Sequence, residues 1–99
     1  MQGFTWIFSP SMKHPLNIIG PQVRMLRETA QWTQDQLAAR CQRLGLDITR
    51  ETLAKIETAA CSVVDHEMIF LALALKIRIE ELFPPGSIIL VRKILKRRK

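Results

Sequence analysis

The stretch that most constrains the fold is residues 33–58, which read TQDQLAARCQRLGLDITRETLAKIET. Thr33 with Gln36 three residues later is the pattern of a capping box, in which each side chain bonds the other residue's backbone N–H. Apolar residues then recur at helical spacing up to Gly45, which can adopt the left-handed conformation that ends a helix. Thr49 is a good N-cap for a second helix. The pattern predicts two short helices joined by a turn.

The second of these helices has long polar side chains near its start. Helical spacing turns Leu53 and Ile56 inward, which leaves Arg50, Glu51 and Lys55 pointing outward. A short helix that is held by a partner helix and carries exposed polar side chains at its start is suited to insertion into the major groove of DNA.

A further helix is predicted before this pair, over residues 17–29. Asn17 is a plausible N-cap for it. Pro21 is tolerated only in the first turn of a helix, however, and this would move the start to Gly20. Either start leaves an apolar stripe that can pack against the central pair.

Two more helices are predicted after the pair. Asp65 can cap a helix over residues 65–75, whose sequence is so apolar that we expect it to be the central core helix. A short fifth helix covers residues 78–83 and is stopped by the PPG sequence that follows. The fold class predicted from these elements is all-α.

The basic charge of the chain is concentrated at one end. Its 99 residues suffice for one small domain, and they contain 15 Lys and Arg against 9 Asp and Glu. Six of the fifteen basic residues lie within residues 92–99, so residues 1–91 are neutral overall. We therefore expect a flexible leader over residues 1–15, a domain over residues 16–85, and an apolar segment with a basic tail over residues 86–99. The net charge is evidence about the tail and not about the domain.

The sequence of the tail predicts a segment that associates with a second chain and a basic end that contacts DNA. Residues 88–91 are mostly β-branched, which favours a strand that pairs with the same strand of a second chain; the alternative is an amphipathic helix that dimerises or touches a membrane surface. The basic residues that follow are expected to contact DNA phosphates without reading sequence. They are Arg92, Lys93, Lys96, Arg97, Arg98 and Lys99.

Several classes of function are disfavoured by the residues. Cys41 lies on an apolar helix face, which predicts a small buried hydrophobic residue. The two cysteines and two histidines lack the spacing of metal ligands. No Ser/His/Asp or Cys/His set, glycine-rich phosphate loop or acidic pair is recognisable, so we expect neither an enzyme nor a cofactor. No secretory signal or membrane-length apolar run is evident, which predicts a cytoplasmic protein.

Four pieces of the sequence, in this order and at these distances, resemble the phage-repressor-like (Cro-type, or XRE) helix-turn-helix family. They are IGPQVRMLRE, TQDQLA, ITRETLAKIET and LALALKIRIEELF, and together they span about residues 19–83. The resemblance implies a compact five-helix, lambda-repressor-like domain. It also implies a sequence-specific transcriptional regulator that binds double-stranded DNA as a homodimer, with residues 49–58 as the recognition helix.

The resemblance also assigns roles to individual residues. Gln34 would hold a DNA phosphate, and Arg50, Glu51 and Lys55 would face base edges. Thr49 and Thr52 would lie between the bases and the backbone. Besides the basic tail, the implied DNA-binding residues are Gln34, Thr49, Arg50, Glu51, Thr52 and Lys55. An ion pair between Arg27 and Glu57 is implied as a structural brace for the recognition helix.

The sequence departs from the family pattern at four places. Residues 42–47 make a longer connection between the second and third helices than is usual. Lys76 stands where a glycine usually follows the fourth helix, and Arg78 stands where a Ser or Thr usually caps the fifth. The loop over residues 58–61 lacks the common glycine and basic residue. Because of these departures and the neutral charge of the domain, a second hypothesis of function stays open. In it the protein is an antitoxin-like or adaptor module that binds a protein partner.

Overall fold

The computed structural model describes residues 15–87 and Lys96, and every regular element in that part of the chain is helical. The all-α prediction is confirmed there, and no strand occurs in it. The elements are α1 (Gly20–Thr29), α2 (Gln34–Leu44), α3 (Arg50–Glu57), α4 (Asp65–Leu75) and a short 3-10 turn (Ile79–Leu82). The predicted capping box at the start of α2 is present, with both Thr33–Gln36 hydrogen bonds formed.

Helix α1 begins at Gly20, the later of the two predicted starts. Asn17 precedes the helix by three residues, and its side-chain Oδ1 accepts the N–H of Gly20, the first helical residue, at 2.7 Å. The Asn17 amide also donates to the carbonyls of Ile56 and Cys61, at 3.1 and 2.8 Å. A Cβ atom on Gly20 would lie 1.9 Å from the Ile56 carbonyl oxygen. The missing side chain therefore lets α1 approach the end of α3 directly.

All four α-helices end in the same way, with a residue in the left-handed conformation followed by a backbone bond that closes the last turn. The left-handed residues are Gln31, Gly45, Ala59 and Lys76. In each case the next N–H reaches back five residues, as in a Schellman motif: Trp32 to Arg27, Leu46 to Cys41, Ala60 to Lys55 and Ile77 to Ala72. Only Gly45 was predicted from the sequence, because the other three are not glycine and carry a cost of about 1–2 kcal/mol each.

Helix α4 differs from the prediction at its start and on one face. Val64 is its N-cap and Asp65 is its first residue; the carboxylate of Glu67 accepts the Val64 N–H at 2.9 Å. Asp65 therefore does not cap the helix, because its carboxylate accepts the neighbouring His66 N–H instead. One face of α4 enters the core, but Ile69 and Leu73 remain about half exposed.

The predicted fifth helix is a single 3-10 turn. Its backbone is extended on both sides, at Arg78 and at Phe83. Pro84 disfavours helical geometry at Phe83 and has no N–H to continue the ladder, so the turn cannot lengthen. Leu82 is nevertheless fully buried, and this residue anchors the turn against α1 and α4.

The core is aliphatic and lies where the four helices meet. Helix α2 packs against α3 on one side and α4 on the other, and α1 packs against α3 and α4. The largest fully buried side chains are Ile19, Val23, Leu37, Cys41, Leu53, Ile56, Leu71 and Leu82. Cys41 is thus a small core residue, as predicted, and α3 is held by two other helices along its apolar face.

Candidate functional site

Helix α3 has a buried face and an exposed polar face. The Thr49 hydroxyl accepts the Thr52 N–H at 3.1 Å, so the predicted N-cap is present and fixes where the helix begins. The polar side chains from its N-cap to Lys55, which lies in the last turn, are all exposed to solvent. They are Thr49, Arg50, Glu51, Thr52 and Lys55. The fold therefore brings five of the six predicted domain contacts together on one surface.

Arg50 is held loosely by two carboxylates. Its Nε atom lies 3.7 Å from Asp35 Oδ1, and an Nη atom lies 3.6 Å from Glu51 Oε2. Both distances are longer than a hydrogen bond, and the Arg50 side chain is 48% exposed. Exposed pairs of this kind contribute only about 0–1 kcal/mol. The guanidinium donors of Arg50 are therefore available to a binding partner at little cost.

The other end of α3 is fixed by a buried ion pair, the one that the family resemblance implied. Arg27 donates from Nε and Nη2 to the two carboxylate oxygens of Glu57, at 2.7 and 3.0 Å. The Arg27 side chain is 11% exposed and that of Glu57 is 1% exposed. The hydrogen bond that Arg27 donates to Glu57 raises the pKa of Arg27, against the opposing effect of burial. A third bond, from Arg27 Nη1 to the Trp32 carbonyl at 2.7 Å, ties the pair to the start of α2.

Gln34, at the start of α2, also contacts the buried Arg27–Glu57 pair. Its amide donates to Glu57 Oε1 at 3.0 Å, and the residue is half-buried. A glutamine amide has two hydrogens, so this bond leaves one donor for another acceptor such as a phosphate oxygen. Gln34 thus sets the orientation of α2 relative to α3, a role that sequence reasoning did not assign to it.

Two contacts of the site were missed by sequence reasoning. Asp35 faces Arg50 from α2. Asn17 was predicted only as a cap of α1, but its side-chain amide also donates to the Ile56 carbonyl at the end of α3. Neither contact has a local signal, because its partner is distant along the chain. Their contribution is visible only once the helices are packed.

The predicted contacts of the tail fall largely outside the described residues. Lys96 is exposed, whereas Arg92, Lys93 and residues 97–99 lie outside that part of the chain. The same holds for the predicted strand over residues 88–91 and for all but the last residue of the predicted leader. These predictions remain predictions.

Other chemistry in the described part of the chain is sparse. Burial raises the pKa of the Cys41 thiol to about 11, which leaves it protonated and unreactive near neutral pH. Across residues 15–87 no three His, Cys, Asp or Glu side chains cluster as a metal-ion site would require. No helix in the same region has the length and apolar character needed to cross a membrane. The exposed start of α3 is therefore the strongest candidate site.

Comparisons with protein-family models, with curated proteins and with solved structures found no match. The exposed face of α3 offers two cationic groups, one carboxylate and two hydroxyls on a short helix whose direction is fixed by buried contacts. These are groups that recognise polar edges and phosphates rather than apolar ligands.

Proposed function

We propose that this protein is a sequence-specific DNA-binding transcriptional regulator of the phage-repressor-like helix-turn-helix type, with α2 and α3 as the two-helix unit. Helix α3 would enter the major groove with its N-terminal residues against base edges, and the start of α2 would contact the phosphate backbone. Arg50 would bond guanine, and Glu51 would accept from a cytosine amino group.

One observation carries this proposal: α3 is rigidly held at its end and exposed at its start. The Arg27–Glu57 pair and the Gln34 amide fix its direction, and five polar side chains, from Thr49 to Lys55, lie on its exposed face. Base readout requires such a combination, because side chains must reach base edges in a fixed register while the helix is supported from behind. Helix α2 extends to Leu44, so the connection between α2 and α3 is residues 45–49 rather than the predicted 42–47, and it ends directly before Arg50.

Selection of bound sequences from a random duplex pool tests the proposal. A single enriched motif is expected, and Arg50→Ala should weaken binding to it by about 1–3 kcal/mol while relaxing the preference at one base position. Arg78→Ala is the matched control, since Arg78 is an exposed arginine outside α3 and its loss changes the net charge equally. If no motif is enriched, or if the two variants weaken binding equally, α3 does not read base sequence.

The tail and the oligomeric state extend the proposal. Residues 92–99 would contact DNA phosphates, and residues 88–91 would pair two chains into a homodimer. Deleting residues 92–99 should lower the salt-dependence slope of binding by up to ~5 units, at ~0.9 per lost phosphate contact, and leave base preference unchanged. Deleting residues 87–99 should also convert a dimer into a monomer by light scattering. An unchanged slope, or an intact dimer, would refute the corresponding part.

The second candidate is an antitoxin-like or adaptor module that holds a protein partner through its helices. The observation that favours it is the charge of the domain, because residues 15–87 contain eight Lys and Arg against nine Asp and Glu. A domain without excess positive charge gains little non-specific affinity for DNA. Gel-shift assays against random duplexes across a range of salt separate the two functions when they are repeated without residues 92–99, because the basic tail alone would give salt-dependent shifts in either case.

A further inference from the structure

A second surface, on the far side of α2, combines basic and apolar side chains. Leu44 at the end of α2 and Leu73 on α4 are 46% and 55% exposed and line a shallow concavity of about 210 Å³. Arg40, Arg43 and Lys76 complete its wall. We call these five residues the basic groove. Exposed leucines inside a ring of cations are unusual for a surface that contacts only water.

The groove continues into a neighbouring concavity of about 310 Å³, which Trp32 lines together with Arg40 and Arg43. The Arg40 guanidinium carbon lies 4.2 Å from the centre of the Trp32 ring, and its Nε donates to the Ala74 carbonyl at 3.0 Å. These contacts hold Arg40 in place as the wall between the two concavities. An ordered arginine, a half-buried tryptophan and exposed leucines form the kind of surface on which binding energy concentrates at protein interfaces.

The charge of this surface is uncompensated. Four of the eight Lys and Arg side chains within residues 15–87 form ion pairs with another described residue. The four that form no such pair are Arg40, Arg43, Lys55 and Lys76, and three of these four line the basic groove. No Asp or Glu lines either concavity. A partner that supplies carboxylates would therefore meet cations that are not already neutralised.

The terminal segments of this chain cannot supply side-chain carboxylates to the groove, and neither can the same groove of a second copy. Residues 1–14 contain Lys13 and His14 but no acidic residue, and residues 88–99 contain six Lys and Arg and no acidic residue. A second copy that docked through the same groove would place its cations against these cations. We propose that the basic groove binds an acidic amphipathic segment of another protein, with an apolar side chain between Leu44 and Leu73 and carboxylates against Arg43 and Lys76.

The basic groove is separate from the exposed face of α3 that is proposed to contact DNA bases. On α2, Asp35 and Gln42 face α3, where they meet Arg50 and the Ile48 carbonyl. At 3.6 residues per turn, Arg40 and Leu44 lie on roughly the opposite side, toward α4. A peptide in the groove would leave α3 uncovered. The proposal therefore goes beyond DNA binding and does not depend on it.

Fluorescence anisotropy with a labelled synthetic peptide and the full-length protein tests the proposal. The probe is a helical peptide with leucines along one face and glutamates elsewhere. A peptide of the same composition in scrambled order and one with lysines in place of the glutamates are the controls. Binding is expected only for the ordered acidic peptide. Failure of that peptide to bind, or equal binding of the scrambled one, would overturn the proposal.

Matched variants locate the binding site. Leu73→Ser should weaken peptide binding, and Arg43→Glu with Lys76→Glu should weaken it by about tenfold or more, because like charges then face each other. Leu16→Ser replaces an equally exposed leucine elsewhere, and Lys55→Glu reverses the remaining unpaired cation; neither should change the affinity. Equal weakening by Lys55→Glu would show general charge attraction and refute the groove.

Two further measurements control for misfolding of the variants and for nucleic-acid binding at the groove. Circular dichroism melts should show every groove variant folded, since Arg43, Leu73 and Lys76 are exposed. A short single-stranded oligothymidylate should not displace the bound peptide. Displacement from the unsubstituted protein, together with direct oligothymidylate binding that the groove variants weaken and Lys55→Glu does not, would identify the surface as a nucleic-acid site and overturn the peptide assignment.

Discussion

The two ends of helix α3 carry the same kinds of charged residue in opposite situations. At its C-terminal end Glu57 is buried, and Arg27 bonds both of its carboxylate oxygens. At its N-terminal end Arg50 and Glu51 are exposed and lie 3.6 Å apart in a loose pair. The comparison teaches that burial, and not residue type, decides whether a charged side chain stabilises the fold or is available for recognition.

The largest expected effect is at the buried end. Arg27→Met leaves the Glu57 carboxylate buried without its cation, and the free energy of unfolding should fall by about 3–5 kcal/mol. Urea denaturation followed by circular dichroism measures this loss. Arg24→Met is the matched control, because the Arg24–Glu28 pair has side chains that are 60% and 54% exposed and should contribute less than ~0.5 kcal/mol.

A double variant sharpens the same test. Replacing both members, as Arg27→Met with Glu57→Met, should recover much of the loss, because an apolar pair has no uncompensated buried charge. If Arg27→Met were no worse than Arg24→Met, the distinction between the two ends of α3 would not hold.

The next-largest loss of stability is expected where α1 contacts the C-terminal end of α3. Gly20→Ala places a methyl group against the Ile56 carbonyl oxygen, a backbone atom that cannot move without shifting α3. The expected cost is about 1–3 kcal/mol, measured as a lower midpoint of urea denaturation. Gly86→Ala is the control, since nothing lies within 4 Å of a Cβ there and only backbone strain is added. An unchanged midpoint for Gly20→Ala would show that the approach is not close.

A smaller effect is expected at the capped start of α3. Thr49→Ala removes the acceptor for the Thr52 N–H and should cost about 1 kcal/mol. The loss should be local, so hydrogen exchange at the Thr52 amide should accelerate more than exchange at the Ile56 amide. Thr49→Ser keeps the acceptor and should restore protection. Uniform acceleration along α3 would mean that its two ends unfold together.

The smallest effect on stability is expected at Arg50. Its side chain is 48% exposed and its two carboxylate partners lie beyond hydrogen-bond distance, so Arg50→Ala should change the free energy of unfolding by less than ~1 kcal/mol. Thermal melts of the two proteins side by side measure the difference. A loss as large as that of Arg27→Met would make Arg50 a structural residue and remove it from the recognition surface.

Much of the helical architecture could be predicted because its signals are local. The Thr33–Gln36 box, Gly45 and the Thr49 cap each act within a few residues, and the bounds of α2 and α3 follow from them. The start of α4 and the fifth segment were predicted less well. At α4 the Asp65 carboxylate accepts the neighbouring His66 N–H instead of capping the helix, and at the fifth segment Pro84 prevents the turn from lengthening.

The candidate site could be predicted only in part. Exposure of Arg50, Glu51 and Lys55 follows from the helical spacing of the buried residues between them. The Arg27–Glu57 pair joins residues thirty positions apart and was implied by the family resemblance alone. The bond from Gln34 to Glu57 could not be predicted, since an exposed glutamine at a helix start has many alternative partners in sequence.

The sequence by itself determined where α2 and α3 begin and end, which of their faces is apolar, and where the basic charge lies. These properties depend on side chains and backbone groups within about one helical turn of each other. Tertiary structure alone decided that α4 keeps Ile69 and Leu73 exposed, and that Ala59 and Lys76 adopt left-handed backbone without glycine. It also decided that three unpaired cations surround Leu44 and Leu73. The physical reason is that burial and charge pairing depend on which helices meet, and contacts between distant segments outweigh local preferences of about 1 kcal/mol.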